Sequence, residues 1–311
     1  MEINHGAYKD VDAVIIENDL LKVTVLPEWG SKTASIVHKS SGYELLWQNS
    51  EAEFRKTGYG APYPEGDTSG FDEMFPTISR CFYEESPWEG FEVPDHGEVW
   101  SIPWQSEIAG ESLIMRVHGI RFPYSLEKAV CLKESVVRID YTAVNTSPHP
   151  FSFIWAAHPL FNTCPGMEFR VPEGMDTIIT SVPGEPLGEY GNRLSFPMCT
   201  DVKGEKLDLS RVPEKRHTGY QKYYFQGKIP EGWCELYNPE ENLTIRLSYP
   251  KEQVPYLGVW LNVLGWADQY NIAPEPATAA MDRIDFSNMW GAGSVLNPFE
   301  ERRWYLEVSV D

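Results

Sequence analysis

The amino-acid sequence predicts an all-β protein, a large antiparallel β-sandwich built as one domain over residues 1–311. Three observations lead there. Apolar and polar residues alternate with a period of two along many short segments. No segment sustains a helical period. The 24 prolines and 24 glycines are spread along the chain and interrupt any long helix. A length of 311 residues would allow two domains, but all-β folds often run this long as one unit.

The elements follow in chain order. Leu21, Val23 and Val25 alternate with Lys22 and Thr24, a turn falls at Glu28-Trp29-Gly30, and Ala34 to His38 resumes extended structure. Lys39 to Gly42 is a polar turn before another extended piece, Tyr43 to Trp47. Ser112 to His118 and Ser125 to Leu132 read as strands. In Val136 to Val144, Val137, Ile139, Tyr141 and Ala143 share one face. Phe151 to Ala157 is almost continuously apolar, as for one strand covered on both faces. Leu243 to Tyr249 and Trp304 to Val310 alternate again. Helical turns are expected only near Asp208 to Val212 and Ala277 to Ile284. Asn49 to Pro94 and Pro183 to Lys222 read as long irregular loops, which on a β-scaffold usually build a binding face or lid.

Composition narrows the function classes. The charge balance of 26 basic against 46 acidic residues gives −20, a field that repels nucleic-acid backbones and anionic membranes. The 11 Trp, 16 Tyr and 14 Phe suit strands and cores, and a few of them suit a pocket in which sugar C–H faces stack on flat rings. The five cysteines are odd in number and lack C-x-x-C spacing, so neither a disulfide framework nor a zinc ribbon is indicated. The polar stretch Met1–Asp12 has no apolar signal core, and no apolar run approaches the ~20 residues that span a bilayer. A soluble protein of a reducing compartment, the cytoplasm, is expected, with a small molecule rather than nucleic acid or membrane as partner.

Three short segments carry groups suited to proton transfer. Pro94-Asp95-His96-Gly97-Glu98-Val99-Trp100 places a histidine between an acid and a glycine. Trp155-Ala156-Ala157-His158-Pro159-Leu160-Phe161 ends a buried strand on His158, with Pro159 as the stop. Ala273-Pro274-Glu275-Pro276-Ala277-Thr278 holds a carboxylate on a stiff backbone. Singly, each has a structural explanation. The other histidines, His5, His38, His118, His149 and His217, have no such context and read as structural or surface residues.

Together these segments resemble the galactose mutarotase-like superfamily, which includes aldose 1-epimerases and hexose-6-phosphate 1-epimerases. The resemblance runs from the opening strands and Leu26-Pro27-Glu28-Trp29-Gly30 through Asp72-Glu73-Met74-Phe75-Pro76 and the three segments to the closing strand at Trp304 to Val310. It implies an aldose 1-epimerase, an isomerase that interconverts sugar anomers by opening and reclosing the ring. Glu275 would be the general base on the anomeric hydroxyl, His158 the general acid at the ring oxygen, and His96 would orient the sugar. No cofactor or metal is implied. Trp260, in Leu257-Gly258-Val259-Trp260, would border the pocket or else belong to the core. Asp72 and Arg80 are candidates for contacts to sugar hydroxyls, with surface roles as the alternative.

Two features depart from the galactose branch. The Asn-Arg segment expected before the first histidine is missing, Arg80 standing instead in Thr77-Ile78-Ser79-Arg80, and His158 is followed by proline, as in phosphosugar-type or uncharacterised branches. Yet no arginine cluster suited to a phosphate is evident, so neutral sugars are expected to be preferred. Two further readings stay open. One is a non-catalytic carbohydrate-binding or sugar-sensing protein on the same fold. The other is a His₂Glu metal site, for which H-E-x-x-H spacing is missing.

Overall fold

The computed structural model describes residues 1–311 and is almost entirely β. Two antiparallel sheets dominate. The larger has 13 strands. Its continuous path begins with the meander Glu2–Tyr8, Val11–Glu17, Leu21–Leu26 and Lys32–His38. It continues through Phe71–Met74, Ala156–Pro159, Tyr270–Ala277, Tyr256–Val263 and Gly219–Phe225 to Thr177–Thr180 and Arg193–Ser195. The smaller has eight strands, with Glu301–Val310, Val136–Asn145 and Tyr124–Lys133 at its centre. The alternation read in Val136 to Val144 is seen directly: Val137, Ile139, Tyr141 and Ala143 are buried. One core of 77 buried residues runs from Val14 to Val310 between the sheets. No helix is long and apolar enough to cross a membrane, and all five cysteines are free thiols.

The structure differs from the sequence reading in several places. Pro183 to Lys222, read as a loop, carries the short strands Arg193–Ser195, Met198–Thr200 and Lys206–Asp208 and the start of Gly219–Phe225. Phe151 to Ala157 is not one strand. Phe151–Phe153 pairs with Ser294–Leu296, while Ala156–Pro159 enters the large sheet. A continuous apolar run has no period to mark the switch between them. Phe71–Met74, within an expected loop, is a fully buried central strand; Asp72 and Glu73 make it look like surface. The polar N-terminal residues Glu2–Tyr8 form an edge strand against Val11–Glu17. The α-helix is Ile284–Met289, beginning where the expected helical turn ends, and Asp208 to Val212 holds no helix.

Successive strand residues face opposite ways, so Asp72 and Glu73 point to opposite sides of the large sheet. Glu73 enters the layer between the sheets, where its carboxylate lies 2.9 Å from Lys128 Nζ. It accepts from the Tyr141 hydroxyl at 2.9 Å and the Trp155 indole N–H at 3.0 Å. Lys128 also donates to the Ser31 carbonyl at 2.9 Å. Both charged side chains are wholly inaccessible. A buried ion pair survives only when its remaining hydrogen-bonding capacity is met, as it is here.

Glu73→Gln leaves Lys128 as an uncompensated buried cation and should cost about 3–5 kcal/mol of stability. Glu73→Gln combined with Lys128→Met should recover part of that loss. Urea denaturation of the two variants checks this, and a double variant no more stable than the single one would refute the pairing argument.

Candidate active site

The outer face of the large sheet, turned away from the smaller sheet, carries a row of polar side chains. Glu275 lies opposite Gly258, and Gly258 lies opposite Tyr224. One pair further along, Trp260 lies opposite Lys222. On the other side, the Ala156–Ala277 and His158–Asp72 pairings put His158 and Asp72 on this same face. Asp72 Oδ2 lies 2.5 Å from Lys32 Nζ. Proline normally avoids central strands because it cannot donate to the ladder. Pro274 and Pro276 sit where pairing toward the Ala156–Asn162 side is interrupted, between the Phe161–Ile272 and Ala156–Ala277 pairs. That interruption leaves Glu275 at the floor of a cleft.

Gly258 is needed for close approach. A Cβ there would lie 3.1 Å from the Tyr224 ring and 3.5 Å from Glu275 Oε2. An added methyl would press on the Tyr224 ring and stand in contact with the carboxylate. Lys222 Nζ is hydrogen-bonded to Glu275 Oε2 and lies 3.8 Å from Asp282 Oδ1, which also accepts from the Tyr224 hydroxyl at 2.8 Å. Glu275 Oε1 is left buried with no hydrogen-bond partner, 3.6 Å from His158 Nε2.

His96 reaches the cleft from a loop. His96 and Gly97 both have left-handed backbones, φ 58° and 77°. A Cβ on Gly97 would stand 2.1 Å from the Phe75 carbonyl oxygen, so only glycine fits. The His96 N–H donates to Ile78 O at 2.6 Å and the Glu98 N–H to Phe75 O at 2.8 Å, fixing the turn. A non-glycine residue held in this conformation is strained, a condition that surrounding structure must impose. The His96 ring stacks on Tyr63, with centroids 3.8 Å apart, and its Nδ1 lies 3.1 Å from Asp95 Oδ1. His158 stands edge-on to His96 at 5.4 Å.

Tyr63 joins the two histidines. Its hydroxyl lies 3.0 Å from Asp72 Oδ2 and 3.5 Å from His158 Nδ1, and its one proton can go to either. Donation to Asp72 favours the His158 tautomer with Nδ1 protonated, whereas donation to His158 leaves the proton on Nε2, facing the cleft. Burial holds the His158 imidazole well below its ordinary 6.5, and the positive charges of His96, Lys222 and Lys32 push it the same way. Burial raises the Glu275 carboxyl above its ordinary 4.5 against the opposing pull of Lys222. The two groups therefore approach each other in proton affinity, as an acid and a base sharing a proton require.

The structure brings His96, His158, Glu275 and Trp260 together around one cavity of about 210 Å³. Asp72 and Arg80 do not line it. Asp72 is fully buried behind Tyr63 and Lys32, because its charge needs the partners found there. Arg80 faces solvent, pairs with Glu92 at 2.8 Å and lies over Phe82, so its charge is used at the surface. Sequence reasoning missed Tyr63, Lys222, Asp282 and Trp266, all of which line the cavity. For Lys222 a signal existed: one charge inside the aromatic run Tyr220 to Phe225, which forms a largely buried strand.

The fold is that of the galactose mutarotase-like proteins. Solved structures that share it include the Slr1438 protein from Synechocystis sp. PCC 6803, with TM-score 0.73, 16% identity and 98% of each chain covered. A galactose mutarotase-like protein from Lactobacillus casei ATCC 334 has TM-score 0.68 and 18% identity, covering 96% of this chain and 100% of that one. A galactose mutarotase related enzyme from Lactobacillus acidophilus has TM-score 0.67 and 15% identity, covering 96% and 97%. Within this class the chain belongs to the DUF5107 family, a domain of unknown function whose model matches residues 2–210. That match takes in His96 and His158 and ends before Lys222 and Glu275. No curated protein matches the chain in sequence.

Carbon-detected NMR titration of the Glu275 carboxyl should give a midpoint above 4.5. Lys222→Met removes the stabilising cation, so the midpoint should move to still higher pH. A midpoint that falls in the variant would show that Lys222 does not hold the carboxylate.

Proposed function

We infer that the protein is an aldose 1-epimerase of the cytoplasm, interconverting the α and β anomers of a sugar by ring opening and closure. The observation that carries the reading is the buried, unpartnered Glu275 Oε1 facing the cleft beside His158 Nε2. An acceptor buried without a partner is costly, and a sugar hydroxyl would satisfy it. Lys222 holds the other carboxylate oxygen, so Oε1 is aimed and free to accept.

The reaction needs two proton transfers at neighbouring oxygens. Glu275 takes the proton from the anomeric hydroxyl, and its raised proton affinity makes it a stronger base than a free carboxylate. As the bond from the anomeric carbon to the ring oxygen breaks, His158 gives its Nε2 proton to that oxygen and takes the Tyr63 proton at Nδ1. The Lys32 ammonium, hydrogen-bonded to the Asp72 carboxylate that faces Tyr63, can replace the Tyr63 proton through that carboxylate. The aldehyde carbon then turns about its bond to the next carbon. Closure on the other face reverses both transfers and returns each proton to its donor. His96, fixed by Tyr63 and Asp95, hydrogen-bonds the sugar and sets its orientation.

The cleft also favours one substrate class. Its lysine, Lys222, is already shared between Glu275 and Asp282, and Asp95 adds a further carboxylate. No arginine lines the cavity, so a phosphate would meet carboxylates without the bidentate cation that usually binds it. Neutral sugars fit this field.

Glu275→Gln and His158→Asn should each lower turnover about 10²–10⁴-fold while leaving sugar binding largely intact, because the lost interactions belong to the transition state. Tyr63→Phe keeps the stacking on His96 but removes the hydroxyl, and should lower turnover with little change in KM. Anomer exchange followed by NMR reads all three, and wild-type turnover by Glu275→Gln would place the base elsewhere. In the same assay, glucose or galactose should outperform glucose 6-phosphate. If several sugars bind and none is anomerised, the protein is a sugar-binding module on this fold.

A further inference from the structure

Beyond Lys222 the cleft continues onto aromatic side chains that the proton chemistry does not use. Trp260 and Trp266 line it. Tyr220 stacks on Trp260 with centroids 5.3 Å apart and planes inclined by 27°, and Trp266 stands edge-on to Trp260 at 6.4 Å. The register sets the order. Glu275 lies opposite Gly258, Lys222 opposite Trp260, and Tyr220 opposite Asn262. From Gly258 to Asn262 is four residues, roughly 13 Å of extended strand. The rings thus reach from the proposed catalytic floor to a distance greater than one pyranose, and Tyr220 at the outer end is exposed.

Trp266 is held there by a loop that is not relaxed. Leu264, Ala267 and Asp268, none of them glycine, have left-handed backbones with φ of 56°, 49° and 52°. Such conformations persist only where other interactions enforce them. The buried Asn262 side chain supplies the enforcement. Its oxygen accepts from the N–H groups of Gly265 and Trp266, each at 3.1 Å, and its nitrogen donates to Trp266 O at 2.8 Å. An indole fixed in this way can stack on a ligand with little further loss of freedom.

We propose that Trp260, Trp266 and Tyr220 form a second sugar subsite, and that the substrate is the reducing end of a disaccharide or longer oligosaccharide. The reducing ring sits over Glu275 and His158, and the next ring lays its C–H face on the shelf. This rests on reading the cleft as an anomerisation site. A sugar is the occupant that suits the place, because the shelf is continuous with the acid–base floor and presents flat rings at its margin.

The test compares glucose and galactose with cellobiose, maltose and lactose. Binding is measured by calorimetry and anomer exchange by NMR, on the wild-type protein and on Trp266→Ala, Trp266→Phe and Tyr220→Ala. At least one disaccharide should bind about tenfold more tightly than its monosaccharide, with kcat/KM higher in the same proportion. Trp266→Ala should remove that ratio, Trp266→Phe should restore most of it, and Tyr220→Ala, an exposed change that spares the fold, should reduce it. The subsite is overturned if no disaccharide exceeds its monosaccharide, or if the ratio survives both alanine variants. If no sugar is anomerised, the epimerase reading fails, while the binding ratio still decides the subsite.

Discussion

Charge buried on a β-sheet must be paired, and in this protein that constraint fixes both the sandwich and the cleft. Asp72 and Glu73 occupy one short central strand and point to opposite faces of it. Glu73 meets Lys128, Tyr141 and Trp155 between the sheets, and Asp72 meets Lys32 and Tyr63 on the outer face. Two adjacent carboxylates therefore tie the strand to the smaller sheet on one side and to the candidate catalytic row on the other. Displacing either would leave an unpaired ion in a low-dielectric interior, so the register of this strand is tightly set.

The same constraint shapes the chemistry proposed for the cleft. Lys222 neutralises Glu275 without taking both of its oxygens, and the strained turn at Met281 and Asp282, both with left-handed backbones, brings a second carboxylate near the lysine. Burial alone moves an imidazole down and a carboxyl up. Placing His158 and Glu275 side by side in one buried site draws their proton affinities together without a special device for each. Tyr63 adds a directional element, because a single hydroxyl proton between Asp72 and His158 determines whether the imidazole nitrogen that faces the cleft carries a proton.

Strained backbone holds the loops that deliver side chains to the cleft. His96 and the turn carrying Trp266 both use non-glycine residues at positive φ. In both cases buried hydrogen bonds hold the turn: His96 through the Ile78 and Phe75 carbonyls, Trp266 through Asn262. The strands supply the groups that must lie flat on the sheet, and the strained turns supply those that must reach over it.

Period-two alternation made the all-β class, the central strands of the smaller sheet and the absence of long helices legible, because a half-buried strand must alternate. His96, His158 and Glu275 could be singled out from their neighbours in the chain, since glycine and proline mark backbones under local constraint. What the sequence could not decide was which distant residues meet. Lys222 lies 53 positions from Glu275 and Tyr63 lies 95 from His158, and only strand order and register bring each pair together. The change of sheet between Phe153 and Ala156 left no mark in an unbroken apolar run. Asp72 and Arg80 could be read either as sugar contacts or as surface charges, and Arg80 faces water while Asp72 is buried, because a charge in the sequence looks the same whether it finds a buried partner or faces water. Pairing across sheets is a property of the folded whole, and so the tertiary structure alone decided it.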